Sequence, residues 1–212
     1  MNLSYKFFYW GPYLFQSTIT AEFCQILLKA GAEARKKKRH YNHKLAGHIK
    51  NQFQLTHETL KNHLTDLLAA YIEGHKEFIY QNKIPEKTPV PSFTLQDMWI
   101  NYQGPGEFNP PHYHGGNLSF ICFIDIPKKL MLEVKKFKER EGRSKGPGSV
   151  AWIYGEGGKE YNTLVAHFPK TLDFFMFPAA LKHFVYPFKS KCERVSVSGN
   201  IVNKEYFDKV RD

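Results

Sequence analysis

Two histidines separated by one residue, His112 and His114, are the first residues of this 212-residue chain whose types and spacing could do chemistry. They stand between a Pro-Pro pair and a Gly-Gly pair, and an apolar run that Pro127 closes follows them. Because residues i and i+2 of an extended segment point to the same face, both imidazoles can reach one point. A strand can offer two metal ligands in this way. With ten histidines in the chain, however, such a pair is expected by chance about half the time.

A second polar segment begins about seventy residues further on, at His183. Arg194 and Ser196 follow it and share one face if their segment is a strand. On the inner face of a barrel an arginine favours a carboxylate, because its planar fork binds one through two hydrogen bonds. No acidic residue in the sequence is an obvious partner for Arg194. The carboxylate of a ligand is therefore a candidate.

The combination of the two segments indicates a metal site more strongly than either segment alone. A lone histidine between apolar residues, as His183 is, usually only packs. Three protein ligands on one side of a metal leave positions open for a bidentate cosubstrate and for oxygen, as in non-haem iron oxygenases. The arginine would then hold the far carboxylate of that cosubstrate.

Helical spacing of apolar residues predicts the elements that precede the first histidine pair. Residues 1–16 are expected to form an aromatic strand or extended arm. A helix is predicted to begin after Thr20, a suitable N-cap, and to end at Gly31. A second helical pattern starts at Thr56.

Beyond a proline-rich connector at 83–91, short runs of β-branched and aromatic residues alternate with Gly and Pro. The runs predicted to be strands are 93–102, 118–126, 150–154, 164–168, 172–177, 184–187 and 195–202. The glycine-rich segment 155–159 lacks the other residues of a phosphate-binding loop and is predicted to be a hairpin. So many short strands favour a sandwich or jelly roll. We therefore predict a mainly β (α+β) chain with a single domain, 1–212, in which helices of the first 82 residues buttress one sheet.

Composition and charge exclude some classes of protein. A hydrophobic content of 42% with 16% aromatic residues excludes a disordered chain. The net charge of +10 would attract nucleic acid. Much of the excess lies in the runs 35–39 and 128–145, which are typical of solvated loops or helix ends. The basic charge therefore leaves a nucleic-acid partner open, but we do not predict one. No apolar run reaches membrane-spanning length and no signal-peptide pattern is present, so we expect a cytosolic protein without a membrane partner.

Two other sets of potential metal ligands in the sequence do not predict a metal site. Cys24, Cys122 and Cys192 are odd in number and far apart, which predicts neither a disulfide framework nor a structural zinc site. Six further histidines lack accompanying carboxylates or cysteines and are predicted to be surface or packing residues. They are His40, His43, His48, His57, His63 and His75.

The sequence resembles the 2-oxoglutarate/Fe(II) oxygenases over roughly 93–203, about half of the chain. The closest likeness is to a subgroup with a prolyl-hydroxylase-like core that is common in tailed phages, which would place the protein in the host cytoplasm. Four segments carry the resemblance: Trp99-Ile-Asn-Tyr102, Asn109-Pro-Pro-His112-Tyr-His114, Phe177-Pro178 with His183, and Arg194-Val-Ser-Val-Ser-Gly-Asn200.

This resemblance implies a double-stranded β-helix core over 93–203 that uses Fe(II), 2-oxoglutarate and O2. Decarboxylation of 2-oxoglutarate to succinate would be coupled to hydroxylation of a C–H bond in a protein residue or a small molecule. Carried over by position, His112 and His183 are iron ligands. Arg194 and Ser196 hold the 5-carboxylate of 2-oxoglutarate.

Two further residues, Tyr102 and His114, also lie at positions that the resembled family uses in its site. Tyr102 matches a tyrosine that often assists with the 5-carboxylate in the resembled family. His114 stands where most of the superfamily has Asp or Glu. If His114 ligates, the site has three histidines and lacks the negative charge of a carboxylate. If it does not, the metal has two protein ligands and a vacant position. Glu107 and Asp125 are not well placed to substitute.

Three hypotheses follow. We favour a 2-oxoglutarate- and Fe(II)-dependent hydroxylase of unknown substrate. The second is a three-histidine cupin dioxygenase that does not use 2-oxoglutarate, for which Arg194 would be dispensable. The third is a non-enzymatic basic jelly roll that binds nucleic acid, with a strongly salt-dependent affinity for DNA. In an enzyme, the segment 128–147 and the N-terminal part are expected to recognise the substrate.

Overall fold

The computed structural model describes residues 11–56, 61–81, 93–139, 146–157 and 163–203. Residues 1–10 of the predicted arm, His57 and the connector at 83–91 lie outside this part. Three α-helices, α1 to α3, are found at Ala21–Lys36, Lys61–Gln81 and Lys128–Lys138, and a 3-10 turn at Asn42–Lys44. The strands β1 to β10 are Phe15–Thr18, Asn51–Gln54, Phe93–Gln103, Asn109–His112, Leu118–Asp125, Val150–Ile153, Leu164–His167, Asp173–Pro178, Lys182–Val185 and Arg194–Asn203.

These strands form two antiparallel sheets. The larger has the order β1-β8-β5-β10-β3-β2, and the smaller has the order β4-β9-β6-β7. From β3 to β10 the chain crosses repeatedly between them, which is the connectivity of a jelly roll. The prediction of a mainly β double-stranded β-helix is therefore confirmed.

Side chains alternate between the two faces of each strand, so the large sheet has a separate hydrophobic core on each face. On the outer face of the large sheet, Phe23 and Leu27 of α1 pack with Ile100 and Val197 in one buried cluster. On the inner face, residues of both sheets form a second cluster, in which the rings of Trp152 and Phe175 lie 4.8 Å apart. The N-terminal helices thus cover one sheet face, and the space between the sheets is left for a core and a cavity.

Helix α1 begins as predicted and ends later than predicted. Thr20 accepts a hydrogen bond from Phe23 N at 3.1 Å and caps the helix. The helix continues past Gly31 to Lys36, so the predicted end at Gly31 is wrong. Gly31 is needed for close packing, because an added Cβ would overlap Ile100 Cδ1 on the sheet below. A glycine inside a helix marks a close approach here and not a cap.

The first part of the basic run 128–145 is a helix, α3, where the sequence predicted a loop or a helix end. Leu130 is buried, and Val134, one turn later, packs against the inner core. The lysines of α3 obscure this apolar stripe in the sequence. Within the described residues, no helix is long and apolar enough to span a bilayer.

Gly199, in the middle of β10, gives a stability prediction. An added Cβ would lie 2.7 Å from both the carbonyl oxygen of Asp97 and the ring of Phe120, and the backbone oxygen cannot move without disturbing the β3–β10 ladder. Gly199→Ala is therefore expected to lower the free energy of unfolding by about 1–3 kcal/mol. Chemical denaturation measures this change. Gly115→Ala is the control, since its Cβ meets nothing within 4 Å. Equal stability of the two variants would contradict the packing.

Candidate metal centre

Two paired strands bring two of the predicted ligands together. In the register of β4 and β9, His112 lies directly opposite His183. Strand β4 is the edge of the small sheet, where its prolines are tolerated because an edge strand can lack hydrogen-bond donors on its free side. Adjacent residues of a strand face opposite sides, and the proline that faces β9 is accommodated because the pairing is irregular between Asn109 and His112. The Pro-Pro pair therefore fits the strand that presents His112.

His114 lies just beyond β4 and completes a cluster. Its backbone N–H donates to the carbonyl of Ala179 at 3.0 Å, which holds the turn against the end of β8. Its Nε2 atom is 3.2 Å from Nε2 of His183. One ligand atom from each of His112, His114 and His183 lies within 4.8 Å of the others. In the described part of the chain, no carboxylate or cysteine joins this cluster.

Backbone carbonyls orient two of the three rings. Nδ1 of His112 lies 2.7 Å from the carbonyl of Pro110, and Nδ1 of His183 lies 3.0 Å from the carbonyl of Leu181. A carbonyl only accepts, so each Nδ1 carries the proton and each Nε2 keeps a free lone pair. Metal-bound histidines are typically held in this way.

Burial keeps all three imidazoles neutral. Loss of hydration lowers the pKa of His112, and it lowers the pKa of His114 to about 4, with a further contribution from His112. The pKa of His183 falls to about 3 for the same main reason, assisted by both neighbours. At neutral pH, no proton has to leave before a metal binds.

The donor set fits a divalent transition metal. Imidazole nitrogens suit iron, zinc, copper and nickel. Two nitrogens at the usual bond length of about 2.1 Å and at right angles around one metal are about 3 Å apart, close to the 3.2 Å between His114 and His183. The sequence left the role of His114 open, and this distance favours a ligand.

Arg194 lines the same cavity, which has a volume of about 130 Å³. Its side chain is 1% exposed, and Nη1 donates to the carbonyl of Gly148 at 2.8 Å. Nε has no partner, and in the described part of the chain no carboxylate pairs with the guanidinium. Burial lowers the pKa of Arg194 to about 9, so at pH 7 it remains a cation without a counter-ion. An anion entering the cavity would offset this cost.

The chain matches a known protein family over the part that contains this cluster and Arg194. Residues 97–200, about half of the chain, match the family described as "Putative 2OG-Fe(II) oxygenase". This chain belongs to the 2-oxoglutarate/Fe(II) oxygenase superfamily. The match includes all three histidines and Arg194. The cofactors of the superfamily are Fe(II), 2-oxoglutarate and O2, as the resemblance implied.

Solved structures share the fold of this oxygenase. AviO1 from Streptomyces viridochromogenes Tue57 aligns with a TM-score of 0.54 and 11% identity, covering 90% of each chain. A Pseudomonas putida prolyl-4-hydroxylase gives 0.52 and 14%, covering 90% of this chain and 92% of that one. A Trichoplax adhaerens prolyl hydroxylase, in complex with a hypoxia inducible factor peptide fragment, gives 0.52 and 9%, covering 92% and 84%. No curated protein matches the sequence significantly. At these identities the likeness concerns the fold alone.

The structure brings five of the six predicted site residues of the oxygenase to one cavity, namely His112, His114, His183, Arg194 and Ser196. Tyr102 is not among the residues that line it. It alternates with Asn101 on β3, so its side chain points to the outer face, where it packs with Phe53 and beneath the guanidinium of Arg35. Asn101 lines the cavity in its place.

Sequence reasoning missed other residues of the oxygenase cavity. Gln52 reaches it from the short strand β2, which the sequence did not predict. Residues 44–49, which lie between α1 and α2 in the sequence, form a segment that we call the strap. All of its residues except His48 line the cavity. The basic segment 128–147 was expected to recognise substrate, but no described residue of α3 lines this cavity. Alternation along β3 was a signal for Asn101, but no pattern in the sequence marked Gln52 or the strap.

The remaining histidines of the oxygenase pack on aromatic rings. His48 stacks on Phe108 and His63 on Phe23, each with ring centroids 4.8 Å apart. His40, His43 and His75 also lie against aromatic rings, at 5.0 to 6.1 Å. For the five that the structure describes, the prediction of packing or surface roles agrees with these contacts.

Proposed function

We propose that His112, His114 and His183 hold the Fe(II) ion, and that Arg194 and Ser196 hold the far carboxylate of 2-oxoglutarate. One observation carries this proposal: a single cavity contains three neutral imidazoles that converge and one buried guanidinium that has no counter-ion among the described residues. A molecule that fits it carries metal-binding oxygens at one end and a carboxylate at the other. 2-Oxoglutarate has this form.

Each residue has a defined role. The iron, when bound, supplies oxidative decarboxylation of 2-oxoglutarate to succinate and CO2, coupled to oxidation of a C–H bond. Arg194 supplies charge and the free Nε–H, and Ser196, 1% exposed, supplies a hydroxyl on the same face of β10. Phe177 and Val185, which line the cavity, exclude water from this ion pair and thereby strengthen it.

The substrate is proposed to enter beside the strap and Tyr113. Tyr113 lies between two of the histidines in the sequence, lines the cavity and is 66% exposed. Lys44 of the strap is also exposed and lines the cavity. The outcome is proposed to be hydroxylation of a protein residue or a small molecule, as two of the structures with this fold are prolyl hydroxylases.

Turnover of 2-oxoglutarate without added substrate tests the proposal. The purified protein with Fe(II) and 2-oxoglutarate in air is expected to release succinate. Removal of iron with a chelator or removal of O2 should stop this release, and added Fe(II) should restore it after chelation. The absence of succinate, together with the absence of 2-oxoglutarate binding by calorimetry in the presence of Mn(II), would contradict the proposed function.

A further inference from the structure

Three carboxamide side chains form a row from the strap to the buried Ser196. Asn42 Nδ2 donates to the backbone carbonyls of Ile49 and Lys50, at 2.6 and 3.2 Å, and to Gln52 Oε1 at 3.3 Å. Gln52 Nε2 donates to Asn101 Oδ1 at 2.8 Å. Asn101 Nδ2 in turn lies 3.5 Å from Ser196 Oγ.

The direction of this row is fixed at the strap. Backbone carbonyls can only accept, so the group of Asn42 that faces them must be its NH2. Gln52 must then turn its oxygen towards Asn42 and its NH2 towards Asn101. The oxygen of Asn101 faces Gln52, and its NH2 faces Ser196 and the cavity. Reversal of any one amide would oppose two donors or two acceptors.

Three residues that line the cavity carry N–H or O–H groups that have no acceptor among the described residues. Asn101 Nδ2 carries two N–H groups and makes one long bond among the described residues. Ser196 accepts that bond, and its own O–H finds no acceptor in the described part of the chain. Arg194 Nε–H also lacks a partner. All three residues line the cavity and are at most 4% exposed. Buried donors without an acceptor call for a partner that accepts, and a ligand carboxylate can accept from all three.

We infer that Asn101 donates a hydrogen bond to the same cosubstrate carboxylate as Arg194 and Ser196, and that Gln52 positions Asn101 for this bond. The inference rests on the proposed function. Asn101 contacts the cosubstrate, whereas Gln52 acts only through Asn101. The backbone carbonyls of Ile49, at the end of the strap, and of Lys50 thus set the direction of a donor in the cosubstrate pocket.

Calorimetry on the full chain with Mn(II), without O2, tests both roles. The two probes are 2-oxoglutarate and 2-oxopentanoate, in which a methyl group replaces the far carboxylate. Asn101→Ala is expected to weaken binding of 2-oxoglutarate by about 10- to 100-fold, since a hydrogen bond to a charged group is lost. Binding of 2-oxopentanoate should stay within about twofold, because it makes no such bond.

A double-mutant cycle tests the positioning role. Gln52→Leu should weaken 2-oxoglutarate binding by about 3- to 10-fold in the wild-type background and have no effect in the Asn101→Ala background. Gln54→Leu, two residues along the same strand and exposed, is the matched control and should have no effect in either background.

The outcomes separate the two proposals. A wild-type protein that binds no 2-oxoglutarate contradicts the proposed function. If the wild type binds 2-oxoglutarate and Asn101→Ala binds it equally well, the inferred hydrogen bond from Asn101 is contradicted. Equal loss for both probes would mean a merely structural role and would also overturn it. Additive effects of Gln52→Leu and Asn101→Ala would contradict the positioning role.

Discussion

Replacement of Arg194 with methionine is expected to weaken 2-oxoglutarate binding by at least about 100-fold, because two or more hydrogen bonds to a charged group are lost together. Metal binding should be unchanged, since Arg194 is not among the clustered histidines. The free energy of unfolding of the ligand-free protein should change by only about 1 kcal/mol, because removal of an uncompensated buried charge offsets the lost bond to Gly148. Calorimetry and chemical denaturation measure these quantities.

Arg35→Met is the matched control for this prediction. Arg35 stacks on Tyr102 at 4.5 Å and pairs with Glu193 at 2.8 Å, on the outer face of the large sheet. Its loss should leave 2-oxoglutarate affinity unchanged. Normal 2-oxoglutarate affinity of Arg194→Met would contradict the assignment. Full activity of Arg194→Met in the absence of 2-oxoglutarate would favour a three-histidine dioxygenase that uses no such cosubstrate.

Replacement of His114 with alanine is expected to reduce metal affinity by more than about 100-fold, because loss of a direct ligand costs more than the roughly 10- to 100-fold that loss of an outer-shell partner costs. The reason is geometric: Nε2 of His114 lies 3.2 Å from Nε2 of His183, as for two neighbouring ligands of one ion. Titration with Mn(II) or Co(II) measures the affinity, and succinate release should fall with it.

Two further variants complete this test. His114→Asp supplies the carboxylate that most of the superfamily has at this position, and it should keep metal binding. His43→Ala is the control, because His43 is exposed and contacts only the ring of Tyr41 among the described aromatic rings. If His114→Ala binds metal as tightly as the wild type, the site has two protein ligands.

Much of the fold could be predicted from the alternation of polar and apolar residues and from the glycines and prolines between the strands. The predicted runs 93–102 and 195–202 correspond to the strands Phe93–Gln103 and Arg194–Asn203. On β10, polar residues that line the cavity alternate with valines of the outer core from Arg194 to Ser198, whereas β3 was predicted from its content of β-branched and aromatic residues. The four-residue strands β2 and β4 are too short for such a pattern. They form because neighbouring strands offer them partners, which is tertiary information.

Most residues of the candidate site were also predicted from the sequence. His112, Arg194 and Ser196 came from spacing and resemblance, and the structure brings them to one cavity. Tyr102 was chosen one residue away from the residue that faces the cavity, and on a strand one residue reverses the face. Gln52 could not be found, since its strand was not predicted and a single glutamine carries no pattern.

A crystal structure of the protein with Mn(II) and 2-oxoglutarate, grown without O2 and measured with anomalous scattering, would test the metal site and the cosubstrate pocket together. We expect one anomalous peak within bonding distance of Nε2 of His112, His114 and His183, and a 2-oxoglutarate molecule whose far carboxylate contacts Arg194. A peak elsewhere, or a 2-oxoglutarate carboxylate away from Arg194, would contradict the proposed site.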